Sequence, residues 1–247
     1  MKVAMVFKWA RDPRDARISV NGELVWGNAK MAASDDDPAA MQVACSLSPE
    51  GDITAVTVGD GDNAWAAARG AVSTVIVEGV PDTIDALGTA EAIACAIRSI
   101  GRVDAVVVGD SDWNLGVPVA LMAQLGITSF AGVVDVEAAR GGTWRLFCKE
   151  GSIVNVVEAR PPFLLAVRGQ TAEKEAPGMK QVLAARKKPQ VTLTADAPEF
   201  ADMPKRGGFV EEGAVSLPES VGATMICGDS EEAARDLVAA LKRDGVL

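Results

Sequence analysis

Short, almost wholly apolar runs recur along the first half of this chain, each followed by a turn and then by a segment of helical spacing. Lys2–Phe7, Ile53–Val58, Val75–Val77 and Ala105–Val108 are these runs, and they predict buried strands. The intervening segments at Ala39–Leu47, around Trp65–Arg69 and at Ala86–Ile100 predict helices. The first of these helices opens on Asp35, Asp36, Asp37 and Pro38, acidic residues followed by proline, as helix starts favour. Alternation of strand and helix at this spacing predicts parallel βαβ units with right-handed crossovers, and therefore an α/β fold. One interruption, Ile18–Val25, carries Asn21-Gly22 between two short apolar pieces and predicts a hairpin.

After Leu125 the pattern changes. Ala131–Val136, Thr143–Cys148, Ile153–Val157 and Phe163–Val167 are short β runs separated by Gly141-Gly142 and Glu150-Gly151. They predict antiparallel strands added to the end of the parallel sheet. Gly178–Ala185 predicts a short helix leading into Arg186-Lys187-Lys188 and Pro189. Thr194–Leu217 is rich in Pro, Gly and charge, lacks a period, and predicts an extended arm. Val221–Cys227 predicts a late strand, and Asp229 with Glu232 a capped helix running through Ala234, Leu237, Val238 and Leu241. The resulting division is an α/β domain over residues 1–193 and an arm, strand and helix over 194–247.

The stretch Val103–Gly126 is the most specific pointer to a ligand. An apolar run ends at Gly109, a polar loop follows, and Gly116 with Pro118 opens a helix pattern. A strand, turn and helix N-terminus in this order aims backbone N–H groups and a helix dipole at the place where open α/β sheets bind ligands. An ordinary βα turn has the same pattern.

Composition narrows the chemistry. The formal net charge of -10 argues against a nucleic-acid partner. No apolar run approaches the ~18 residues of a membrane helix, and Met1–Phe7 reads as a first strand, not a leader, so a soluble cytoplasmic protein is expected. Cys45, Cys95, Cys148 and Cys227 are far apart and read as reduced thiols. Histidine and tyrosine are absent, which removes His-based triads and His-ligated metals. There is no P-loop, no Gly-x-Gly-x-x-Gly after the first strand and no Gly-x-Ser-x-Gly. Asp35–Asp37 suits a solvated helix start or, less simply, a cation. Arg186–Lys188 suits an acidic partner or a helix end. Trp9 and Trp113 follow strands and suit stacking on a ring or capping the core.

The ordered set of pieces resembles the β subunit of electron transfer flavoproteins, including the FixA-like members. KVAMVFKWARDP is similar to that family's first strand and Lys-x-x-x-Asp-Pro loop, and Lys30–Leu47 to its Met-x-Asn-Pro-Phe-Asp-Glu helix start. Thr54–Asp60 is similar to its second strand, and Ala64–Val77 to the helix and strand that follow. Gln181–Pro189 is similar to its basic Met-Lys-Ala-Lys-Lys-Lys segment, and Glu231–Leu247 to its tail helix.

The resemblance implies a doubly wound parallel sheet of the adenine nucleotide alpha hydrolase-like type with a C-terminal arm. It implies an electron-carrier subunit, without catalytic residues of its own, that relays electrons between a flavoprotein dehydrogenase or reductase and a second redox partner. The expected partner is an α-type subunit, with which FAD is shared. AMP or a second FAD is expected in this chain's own site, and no metal. By position, Val6, Ser34, Asp35, Val58, Gly109, Asp110, Ser111, Asn114, Leu115, Gly116, Val117 and Pro118 surround that nucleotide, the loop N–H groups holding phosphate. Met179, with Arg186, Lys187 and Lys188, matches the partner-docking segment. Asp110 and Asp112 stand where the resemblance places phosphate, and two carboxylates oppose an anion unless they turn away or hold a cation. Two alternatives remain: a nucleotide-sensing regulatory domain of the universal-stress-protein type, and a β-type scaffold without nucleotide. A stand-alone sensor has little use for a long arm.

Overall fold

All four residues of β1 (Val3–Val6) are buried. Side chains alternate across a strand, so this requires cover on both faces of its sheet. A computed structural model describes residues 1–27, 29–59, 61–80, 85–110, 113, 115–169, 176–194 and 222–247. After β1, β2 (Trp9–Arg11) pairs with β5 (Met31–Ala33), and β3 (Arg17–Ile18) pairs with β4 (Leu24–Val25), each antiparallel. The second pair is the predicted Asn21-Gly22 hairpin. The chain then runs through α1 (Asp37–Leu47), β6 (Ile53–Val58), α2 (Asn63–Ala68), β7 (Ser73–Glu78), α3 (Ala86–Ile100), β8 (Ala105–Gly109) and α4 (Val117–Leu125). β9 (Thr128–Ala138), β10 (Trp144–Glu150), β11 (Ile153–Ala159) and β12 (Phe163–Val167) follow. α5 (Met179–Ala185), β13 (Gln190–Thr194) and α6 (Ser230–Arg243) complete the described elements.

Among the described residues the main sheet has the order β11-β10-β9-β12-β8-β1-β6-β7-β13. β1 pairs in parallel with both β6 and β8, Met5 lying between Ala55 and Val107. Val3, Met5 and Phe7 pack with Met41, Ala44 and Leu47 of α1 on one face. Ala4 and Val6 pack with Ile93 and Ile97 of α3 and Leu121 of α4 on the other. The sheet is therefore doubly wound. From β1 the chain steps to β6 and β7, and α3 then carries it across to β8 on the opposite side of β1. That reversal opens a crevice at the carboxyl ends of β1 and β8.

Two expectations are corrected. β12 is not an antiparallel addition: it lies between β8 and β9 and pairs in parallel with both. Its five residues are all buried, as an interior strand requires. Among the described residues the antiparallel additions to the main sheet are β10 and β11. β9 serves both patterns because it bulges, and Gly132, at φ +66°, makes this possible. A Cβ there would lie 2.8 Å from the Lys149 carbonyl oxygen. Residues 222–227 of the expected late strand are not strand, and Val221 lies outside the described residues. Apolar alternation there finds no strand to pair with, and Met225 is exposed. Conversely β13 went unpredicted; it extends the sheet past β7, Val191 opposite Val75. Residues 195–217 of the expected arm lie outside the described residues. α6 begins as expected, with Asp229 Oδ1 accepting from the N–H groups of Glu231 and Glu232 at 2.9 Å.

Candidate functional site

A cavity of about 730 Å³ opens at the carboxyl ends of β1, β6, β7 and β8. Its apolar lining comes from the strand ends at Val6, Val58 and Val108, from Ile93 of α3, and from Val117 and Pro118 of α4. The opposite wall is the small β2–β5 ribbon with its flanks, which brings Lys8, Trp9, Arg11, Trp26 and Met31. Ser34 and Asp37 reach it from the start of α1. The size and the mixture of apolar walls with a few polar groups suit a small organic ligand.

Of the run Asp35–Asp37, only Asp35 is solvated as a helix start would have it. Each carboxylate ties down a different segment. Asp37 is 2 % exposed, and its Oδ2 accepts from the backbone N–H groups of Lys8 and Ser34, both at 2.9 Å. It thus joins the loop after β1 to the loop before α1. Asp36 Oδ1 accepts from the Gly169 N–H at 2.6 Å, joining α1 to the end of β12. Asp35 stays outside and pairs with Arg14 at 3.1 Å, which also holds Asp12. Gly109 completes the arrangement by lacking a side chain: a Cβ there would stand 2.7 Å from Asp37 Oδ1.

Burial pushes the Asp37 carboxyl up to about 7, against its hydrogen bonds, with the Asp36 charge adding to the rise. Lys8 is lowered from its ordinary value by burial, a shift opposed by Asp37. The Ser34 hydroxyl, 1 % exposed, lies near enough to Asp37 to favour its ionised form but makes no aligned hydrogen bond. It is a buried polar atom beside Asp37, and buried hydroxyls without an aligned partner are uncommon.

Of the residues expected around a ligand, the structure brings Val6, Ser34, Val58, Gly109, Val117 and Pro118 together on the lining. Asp35 does not join them. Leu115 is 74 % exposed and turns to solvent. Gly116 stands just before α4 at φ +93°, a left-handed cap without a side-chain bond. Asp110 turns away to Arg168, 3.1 Å distant, and lines a separate hollow of about 330 Å³. Its carboxylate is therefore paired outside the main cavity. Ser111, Asp112 and Asn114 lie outside the described residues. The sequence reading missed Lys8, Arg11, Trp26, Met31 and Asp37; the first four are gathered by the β2–β5 ribbon, whose pairing no local pattern announces. Trp9 lines the cavity, and Trp113 is not on its lining.

α5 presents a different surface. Met179 is 82 % exposed, and Arg186 and Lys187 are exposed beyond the helix. Lys188 departs from the expected docking cluster. Its Nζ donates to the carbonyl oxygens of Ala67 and Ala71, both at 2.8 Å, so its charge closes the carboxyl end of α2. Among the described residues no group of His, Cys, Asp and Glu is arranged to hold a metal ion, and no helix is long and apolar enough to cross a membrane.

A family model, the electron transfer flavoprotein domain, matches residues 28–198. No curated protein matches the chain. The matched segment contains α1 with Ser34 and Asp37, the run β6 to β8, the β10–β11 additions and the basic α5 segment, and begins after β1 and β2. The family is one of electron-transfer components. On this match across most of its length, the chain belongs to the electron transfer flavoprotein domain family.

Proposed function

We propose that this chain is the β-type subunit of a heterodimeric electron transfer flavoprotein. It pairs with an α-type subunit, shares FAD with it, and relays electrons between a flavoprotein dehydrogenase or reductase and a second redox partner in the cytoplasm. Residues 1–193 form the nucleotide-binding-type domain, and 194–247 reach the α-type subunit. The observation that carries the reading is a family match whose sheet places a ligand-sized cavity at its switch point.

The cavity fits an adenine nucleotide, AMP or a second FAD. Val6, Val58 and Ile93 offer apolar contact to a flat ring, and Trp9 and Trp26 aromatic side chains. A bound flavin supplies the redox chemistry. This chain's residues bind, orient and exclude water around the nucleotide. Met179, Arg186 and Lys187 face outward as an apolar anchor among cations, suited to docking a redox partner with an acidic rim. Mass spectrometry of the purified complex after denaturation tests the cofactor reading. FAD together with AMP, or FAD alone in excess of one per heterodimer, is expected; release of neither nucleotide contradicts it.

A further inference from the structure

The main sheet ends at β11, and among the described residues no strand pairs with its outer edge. A free edge presents a row of N–H and C=O groups to any strand that can line up with it, and lysine, proline or a bulge commonly blunts such edges. β11 has none of these. It reads IVNVVEA, pairs with β10 through all seven residues without a break, and carries Glu158 as its one charge. Ile153, Val154 and Val156 are 49–62 % exposed, so β-branched side chains crowd a strand that faces water.

The pairing with β10 fixes which side chains share a face. Arg145 lies opposite Glu158, Phe147 opposite Val156 and Lys149 opposite Val154. The Arg145–Glu158 ion pair, at 3.2 Å, belongs to this face. Leu146, opposite Val157, is buried on the other face, where Trp144 and Cys148 pack against the core cluster that includes Met41 and Leu47 of α1. The face of Phe147, Val154 and Val156 is therefore turned away from the core, and Arg145, Glu158 and Lys149 border its apolar centre.

A second copy of this strand fits the edge. Run antiparallel about a twofold axis through Val156, it gives all seven residues a counterpart: Val156 meets itself, Val154 meets Glu158, Asn155 meets Val157 and Ile153 meets Ala159. No other antiparallel register does so. The side-chain rows also match across the axis. The middle row runs Phe147, Val156, then Val156 and Phe147 of the second copy, and is apolar throughout. The next row runs Glu137, Arg145, Glu158, then Val154 and Lys149 of the second copy. Its charges alternate in sign, and no like charges stand opposite each other.

We propose that β11 is a self-association edge, through which two copies of this chain join their nine-stranded sheets into one continuous sheet. The inference goes beyond the heterodimer reading and leaves α5 and the C-terminal segment for the partners assigned to them. The assembly in the presence of the α-type subunit is a pair of heterodimers.

Sedimentation velocity of the full chain, alone and with its α-type partner, tests this. A dimer of the chain is expected alone, and a pair of heterodimers in the complex. Val156→Lys sets two ammonium groups against each other on the axis and is expected to weaken the dimer at least about tenfold, whereas Val156→Thr keeps it. Thermal unfolding of each variant reports whether the fold is intact. Val156→Cys in a Cys227→Ser background is expected to form an intermolecular disulfide on mild oxidation, since directly opposed residues have Cβ atoms about 4.5–5.5 Å apart. Val154→Cys in the same background is not, because its counterpart across the axis is Glu158. A chain that stays monomeric up to about 100 μM, a dimer that survives Val156→Lys, or equal cross-linking from positions 154 and 156 overturns the proposal. Loss of the α-type complex in Val156→Lys also overturns it, because the α-type subunit then occupies the edge; that result leaves the heterodimer reading standing.

Discussion

Removing the Asp37 carboxyl group isolates the latch that shapes the cavity. In Asp37→Ala the N–H groups of Lys8 and Ser34 lose their shared acceptor at a buried position. An orphaned buried donor costs about 1–3 kcal/mol, so the pair costs about 2–6 kcal/mol, or on the order of 10 °C in a chain of this size. Asp37→Asn keeps an oxygen at the Oδ2 position and is expected to fall within about 1 kcal/mol of the wild type at pH 5. The pH dependence separates the two effects. Burial raises the folded pKa of Asp37 from its ordinary carboxylate value to about 7. The native state therefore holds a proton that the unfolded state releases. This contribution is complete below the unfolded value and is lost as pH rises through the folded one, at up to about 1.4 kcal/mol per pH unit. Urea unfolding of wild type, Asp37→Asn and Asp37→Ala at half-unit steps from pH 5 to 8 is the assay. The wild type is expected to lose stability relative to Asp37→Asn across that range. Parallel profiles for these two, or an Asp37→Ala variant within about 0.5 kcal/mol of wild type at pH 5, refute the reasoning.

Two further substitutions test the α5 surface. Met179→Glu is expected to reduce electron transfer to the redox partner severalfold while leaving assembly with the α-type subunit intact, because a charge enters an apolar pocket only at high cost. Steady-state coupling and gel filtration measure the two effects separately, and unchanged transfer counts against the docking role. Lys188→Met uncaps the Ala67 and Ala71 carbonyls. It is expected to cost about 1 kcal/mol and to speed proteolysis near α5, whereas a role in docking alone predicts wild-type stability.

The parallel core was legible because its strands are continuous apolar runs with helical segments between them. The same property concealed β12, since Phe163–Val167 reads identically whichever way the strand points, and only its neighbours fix its direction. β13 was overlooked because its five residues follow a charged cluster and Pro189, and its pairing with β7 is remote in sequence. At the site, positions that follow from a strand end or a helix start were found: Val6, Val58, Gly109, Pro118. Asp37 and Lys188 were misjudged for one reason. A charged residue in a polar run looks solvated until tertiary structure supplies its partners. Asp37 reaches Lys8, 29 residues away, besides the nearby Ser34, and the partners of Lys188 lie 121 and 117 residues away. Lys8 and Arg11 were missed because a lysine or arginine carries no local sign of which surface it lines.

The central claim is that this chain completes a flavin-carrying heterodimer. The most direct measurement is the visible absorption spectrum of the chain purified together with its α-type partner, before and after addition of FAD, followed by reduction with a flavoprotein donor. A tight yellow complex whose flavin bands bleach on reduction and return on reoxidation is expected. A tight but colourless complex that takes up no FAD contradicts the claim.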